Sequence, residues 1–71
     1  MSVNKVKKIG ALVKNARKEQ GLTQAQLAAT TGVGVRFVRE LEQGKDSCHV
    51  GKSLLVLSML GLDITVNGES L

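Results

Sequence analysis

The sequence predicts an all-α domain of four to five short helices, finished by one short C-terminal β-strand that pairs across a homodimer. Three observations predict it. Apolar residues recur at three- and four-residue spacing in four successive segments, the period of helices with a buried side. A glycine stands at the end of each segment, at positions 21, 32, 44 and 61. Only residues 62–66 alternate with period two and are rich in β-branched side chains, and they have no second strand in the chain to pair with. The 71 residues make one domain, a helical bundle over 4–61 and a strand over 62–66.

In chain order, Val6, Ile9, Val13 and Ala16, widened by Leu12, form the buried stripe of a first helix over residues 4–20. Asn4 can cap its start, Gly21 can end it, and Gly10 weakens it mildly. Thr23-Gln24-Ala25-Gln26 has the form of a capping box and opens a second helix over 23–31 that buries Leu27 and Ala28. Gly32 suits a tight turn that needs left-handed backbone. A third helix over 34–43 turns Val33, Val38 and Leu41 inward and Val35, Arg36, Arg39 and Glu40 outward. Gly44 closes it, and Lys45, Asp46 and Ser47 form a loop. The fourth helix, over 50–60, carries Leu54, Leu55, Val56, Leu57, Met59 and Leu60 on almost every side. A helix apolar all round needs burial on more than one face, and in so small a chain a second subunit supplies the other. In the tail, Leu62, Ile64 and Val66 are the dimerisation residues: a lone strand leaves its backbone unpaired, and antiparallel pairing with its own copy resolves that. Asn67-Gly68 ends the strand and residues 69–71 fray.

Composition narrows the function. Ten Lys and Arg against six Asp and Glu give a formal charge of +4. Lys5, Lys7, Lys8, Lys14, Arg17 and Lys18 cluster in the first twenty residues, where Glu19 is the only acid. This asymmetry fits a polyanionic partner and fits a solubilising surface equally. No segment approaches a membrane span, and charge at Lys5, Lys7 and Lys8 interrupts any signal-peptide core, so a cytoplasmic protein without a membrane partner is expected. Cys48 is alone, which excludes a disulfide framework and suits a reducing compartment. Asp46, Cys48 and His49 have neither the number nor the spacing of a zinc site, and neighbours in sequence rarely supply a thiol with a base. Cys48 reads as a small buried residue and Phe37 as packing against the first helix. No phosphate-binding glycine loop occurs, and the expectation is a protein without cofactor, metal or catalytic activity.

The functional signal is one constellation: Gly21-Leu22-Thr23-Gln24-Ala25-Gln26-Leu27-Ala28, then Thr31-Gly32-Val33, then Phe37-Val38-Arg39-Glu40-Leu41-Glu42-Gln43-Gly44-Lys45. Ala28 suits a close crossing of two helices, Gly32 the turn, and Val33, Val38 and Leu41 anchor a helix whose other face can enter a major groove. These residues strongly resemble the lambda-repressor-like, or Xre, family of helix-turn-helix DNA-binding domains over residues 6–60. A narrower likeness runs through 37–45, then Cys48-His49-Val50-Gly51-Lys52, then Leu60-Gly61-Leu62-Asp63-Ile64-Thr65-Val66, and is similar to HipB-type antitoxins.

That likeness implies a dimeric repressor of its own operon that binds an inverted-repeat operator and a HipA-type serine/threonine kinase toxin. The broader family resemblance implies residue roles. Gln24 holds a phosphate and braces the recognition helix; Val35, Arg36, Arg39 and Glu40 face base edges; Gly44 and Lys45 meet the sugar-phosphate chain; Arg17 and Glu42 form a structural salt bridge. Gly34 departs from the family's usual Ser or Thr, so the recognition helix lacks a side-chain cap and leaves an N–H open to phosphate. Glu40 repels phosphate and needs a cytosine amino group or an arginine neighbour. Against these roles stands a plain solvated face for Arg36, Arg39, Lys5, Lys7 and Lys8. Two rival functions remain open: a stand-alone regulator with the same DNA chemistry and no toxin, and a protein-interaction module without useful DNA binding, to which Glu40 and Gly34 give some footing.

Overall fold

The structure is a computed structural model that describes residues 2–71, with side chains from Lys5 onward. Among these residues it contains four helices, α1 (Ser2–Glu19), α2 (Gln24–Thr31), α3 (Val35–Glu42) and α4 (Val50–Met59), and two short strands, β1 (Thr65–Val66) and β2 (Glu69–Ser70). α3 packs against both α1 and α2, and α4 closes the bundle against α2. All four helices contribute to one apolar core: Val13 and Ala16 from α1, Leu27 and Ala28 from α2, Val38 and Leu41 from α3, Val56 and Leu57 from α4, with Leu60 just beyond. The predicted inward faces of α2 and α3 are therefore the observed ones.

Local chemistry explains the helix limits. Thr23 Oγ1 accepts from the Gln26 N–H at 3.0 Å while Gln26 Oε1 accepts from the Thr23 N–H at 2.9 Å, a complete capping box. Gly32 takes φ 80°, and its N–H donates to the Ala28 carbonyl at 2.9 Å. At the end of α3, Gly44 takes φ 78°, its N–H donates to the Leu41 carbonyl, and the Lys45 N–H reaches back to the Glu40 carbonyl at 3.1 Å. This paired closure is a Schellman motif, which needs left-handed backbone at the glycine. α1 starts at Ser2, so the start expected at Asn4 lies inside the helix; the Asn4 side chain falls outside the described residues.

Gly10 does more than weaken α1. It is buried, and a Cβ added there would lie 2.5 Å from the Leu41 carbonyl oxygen and 2.8 Å from that of Glu42. The missing side chain lets α1 run directly against the end of α3.

The tail corrects the expectation of a lone strand over 62–66 followed by fraying. Only Thr65 and Val66 form β1, and they pair antiparallel with Ser70 and Glu69 of β2. Asn67 and Gly68 both have positive φ, 53° and 79°, the signature of a two-residue type I′ hairpin turn. The Leu71 N–H extends the ladder to the Ile64 carbonyl at 2.9 Å. Thus the backbone demand that pointed to a second copy is met within the chain. Leu62 and Ile64 fold back against the core instead of lying in the strand, while Val66 is exposed. α4 buries Val56 and Leu57 and leaves Val50, Leu54, Leu55 and Met59 open.

Candidate nucleic-acid interface

α3 has two faces with opposite chemistry. Val38 and Leu41 are 0% and 2% exposed, so the inner face is fixed in the core. Val35, Arg36 and Arg39 are exposed on the other side, and Glu40 is half-buried beside them. Gly34 caps the helix without a side-chain hydrogen bond and with open space around it.

A polar clasp sets the position of α3 relative to α1 and α2. Arg17 Nε donates to Glu42 Oε2 at 2.6 Å and Arg17 Nη2 to Oε1 at 3.1 Å, while Nη1 donates to the Leu22 carbonyl at 2.7 Å. Gln24 Nε2 adds a bond to Glu42 Oε1 at 3.0 Å. The Arg17 and Glu42 side chains are 10% and 3% exposed. Burial alone would raise the Glu42 pKa; the hydrogen bonds from Arg17 and Gln24, with the charges of Arg17 and Lys14, outweigh it and hold the carboxyl below its usual range. Gln24 therefore ties the start of α2 to the end of α3.

Basic groups gather at the far end of α3. Lys45 follows the Gly44 turn, and its Nζ donates to Glu40 Oε2 at 3.2 Å; Arg36 Nε donates to the same oxygen at 3.3 Å. The Lys45 hydrogen bond is the main cause that lowers the Glu40 pKa, against an opposing effect of desolvation. Arg36 and Lys45 are thus both neighbours of the Glu40 carboxylate. α1 adds Lys7, whose stem lies over Gly44: a Cβ on that glycine would meet Lys7 Cγ at 2.7 Å. Lys7 and Lys45 consequently flank the C-terminal end of α3, Arg36 reaches Glu40 from the first turn of the same helix, and Lys8 borders a groove with Leu12 and Ile64 on another side.

Cys48, expected to be buried, is half-buried at the edge of the core, and His49 lies at the start of α4. His49 Nδ1 accepts from the Lys52 N–H at 3.2 Å and caps α4, a role that its sequence position gives no sign of, because His is an uncommon cap. Burial raises the Cys48 thiol pKa, and the nearby Glu40 charge adds to it, the opposite of what an activated thiolate requires. Phe37 packs at the edge of the core, with the Lys52 ammonium 6.0 Å from its ring centre. Among the described residues no group of three His, Cys, Asp or Glu is placed to hold a metal ion, and no helix is long and apolar enough to cross a membrane.

Comparison with known proteins agrees with this geometry. The helix-turn-helix family model matches residues 13–66. The chain is 52% identical over 63 residues to the HTH-type transcriptional regulator y4mF of Sinorhizobium fredii, spanning 86% of this chain and 83% of that protein. It is 30% identical over 60 residues to the ImmF control region 10 kDa protein of Bacillus phage phi105, spanning 84% of this chain and 67% of that one.

Proposed function

The chain belongs to the helix-turn-helix family of lambda-repressor-like type, and from that premise we propose that it is a transcriptional repressor that binds one double-stranded DNA sequence as a homodimer. The observation that carries this is the pairing of faces on α3: one face locked by Val38, Leu41 and the Arg17–Glu42–Gln24 clasp, the other offering Val35, Arg36 and Arg39 to solvent. A rigid helix with a basic outer face enters a major groove without rearranging its core.

In this reading Val35, Arg36 and Arg39 meet base edges, Arg by two hydrogen bonds to guanine and Val35 by contact with a thymine methyl, with Glu40 beside them on the same face. Gln24, the open amide at Gly34, Lys45 and the neighbouring Lys7 hold phosphates, which fixes register. No catalytic step is involved; occupancy of a promoter is the whole mechanism. Two copies place their α3 helices in successive major grooves, about 34–36 Å apart, and so read an inverted repeat. Val66 on the hairpin and the exposed Leu54, Leu55 and Met59 of α4 are the surfaces offered to the second copy, while Leu62 and Ile64 anchor the tail on the core.

The narrower role, an antitoxin that neutralises a HipA-type kinase, rests on the sequence likeness through residues 37–45, 48–52 and 60–66. The stand-alone regulator is favoured by the relatives, one named a transcriptional regulator and the other a phage control-region protein. A kinase-like coding region beside the gene, whose product co-purifies with this chain, selects the antitoxin.

The test of the main reading is titration of the purified protein onto a labelled duplex from upstream of its own gene, with unrelated duplex as competitor, at two salt concentrations. Binding that survives competitor and weakens with salt is the expected result. Binding that competitor abolishes at both salts would overturn sequence-specific autoregulation.

A further inference from the structure

Glu40 is an acid set among the cations that α3 and its following loop present. Its Oε2 accepts from Arg36 Nε at 3.3 Å and from Lys45 Nζ at 3.2 Å. Two backbone features produce this meeting. Arg36 and Glu40 lie one helical turn apart. The left-handed turn at Gly44 sends the chain back, so that Lys45 reaches Glu40 twice, by its N–H to the carbonyl and by its ammonium to the carboxylate.

Exposure separates the partners. The Glu40 side chain is 27% exposed and that of Arg36 is 84% exposed. The carboxylate is thus sheltered while the guanidinium projects. With Nε engaged, the two terminal nitrogens of Arg36 stay free of ion pairs among the described residues, on a side chain that is largely exposed. Two parallel donors at a guanidinium tip are what guanine O6 and N7 accept.

We propose that Glu40 is a positioning residue for DNA recognition: by holding Nε of Arg36 it presents the two terminal nitrogens to a guanine, and by holding Lys45 it joins the phosphate-contacting loop to the base-reading helix. This rests on the DNA-binding reading above. An arginine without such a tether swings between bases and the nearest phosphate, and a phosphate contact carries no sequence information. A fixed negative charge on the groove face also repels phosphate. Glu40 therefore lowers affinity for DNA in general and raises discrimination. The Glu40 carboxyl is ionised at neutral pH as an ordinary glutamate is, and the Lys45 hydrogen bond holds it further below the usual carboxylate range.

The test begins with selection of a preferred duplex from a randomised pool by the wild-type chain. Dissociation constants are then measured for wild type, Glu40→Gln, Glu40→Asp, Arg36→Ala and Glu40→Gln combined with Arg36→Ala. The duplexes are the preferred one, its single-base-pair changes and an unrelated one. Glu40→Gln is expected to bind unrelated DNA severalfold more tightly and to lose about tenfold of discrimination at one G·C pair, the pair at which Arg36→Ala also loses it. Adding Glu40→Gln to Arg36→Ala is expected to change discrimination at that pair no further. Glu40→Asp keeps the charge and shortens the reach; it should lose discrimination without tightening on unrelated DNA. Equal tightening of Glu40→Gln on every duplex would mean simple repulsion and would overturn the positioning role, as would the same loss with and without Arg36. A pool that yields no preferred duplex would overturn the DNA-binding reading itself, and this role with it.

Discussion

At the scale of single residues, the bundle depends on one missing side chain and one buried carboxylate. On an exposed helix, Gly→Ala gains up to about 1 kcal/mol. Gly10→Ala should reverse that sign, because the new Cβ meets the backbone oxygens of Leu41 and Glu42 and the helix ends cannot yield cheaply. A loss of about 1–3 kcal/mol in urea unfolding is expected, the usual cost of overpacking. Glu42→Gln should lose about 2–3 kcal/mol near neutral pH, since it leaves the Arg17 guanidinium buried without its counter-charge. The sign of the pH dependence follows from the Glu42 pKa, which is lower folded than unfolded. Its stabilisation is complete above the ordinary carboxylate value and disappears as pH falls through the folded value. Unfolding curves at about pH 7 and about pH 3 should therefore show a large gap between parent and variant that narrows in acid. A gap independent of pH would remove the charge from the explanation. The two residues differ in legibility. Arg17, Gln24 and Glu42 stand at positions that a family pattern marks. The need for glycine at 10 arises only once α3 is folded against it, and a local pattern reports only its cost to helix propensity.

At the scale of elements, the ends of α2 and the close of α3 were the most legible part of the fold because each is decided within five or six residues, whereas the start of α1 and the His49 cap of α4 were not. Thr23 with Gln26, Gly32 and Gly44 act through bonds to their own helices. The recognition helix is the exception, opened by Gly34 with no side-chain cap. Gly34 has φ −74°, which any residue adopts, and open space where a side chain would go. Gly34→Ser should therefore raise stability by about 0.5–1 kcal/mol, partly by capping and partly by restricting the unfolded chain. A calorimetric rise of roughly 3–6 °C would register it. An unchanged or lower midpoint would show that the serine hydroxyl does not reach the first turn. The hairpin was not legible as a hairpin, although Asn67-Gly68 is a strong turn signal. Its second strand is two polar residues, Glu69 and Ser70, too short for alternation to register, so the pairing that closes it looked absent.

At the scale of the whole molecule, the apolar surface of α4 and the hairpin is what remains after one chain has folded. Val66 is 55% exposed and Met59 49%, and neither contributes to the core. Deleting residues 62–71 would confuse two effects, because Leu62 and Ile64 also pack against the bundle. Val66→Lys separates them. Its side chain is more than half exposed and outside the core, so urea unfolding of the isolated chain should change by no more than about 0.5 kcal/mol. If the hairpin meets its counterpart in a second copy, the lysines face one another across the two-fold axis, and repulsion adds to lost apolar contact. Sedimentation equilibrium should then show a mostly monomeric variant at concentrations where the parent is dimeric. Affinity for an inverted repeat should fall far more than affinity for a single half-site, since only the paired contacts depend on the dimer. A variant that stays dimeric and keeps its preference for the repeat would move the interface off the hairpin, and the same comparison with Leu54→Lys would then test the exposed face of α4.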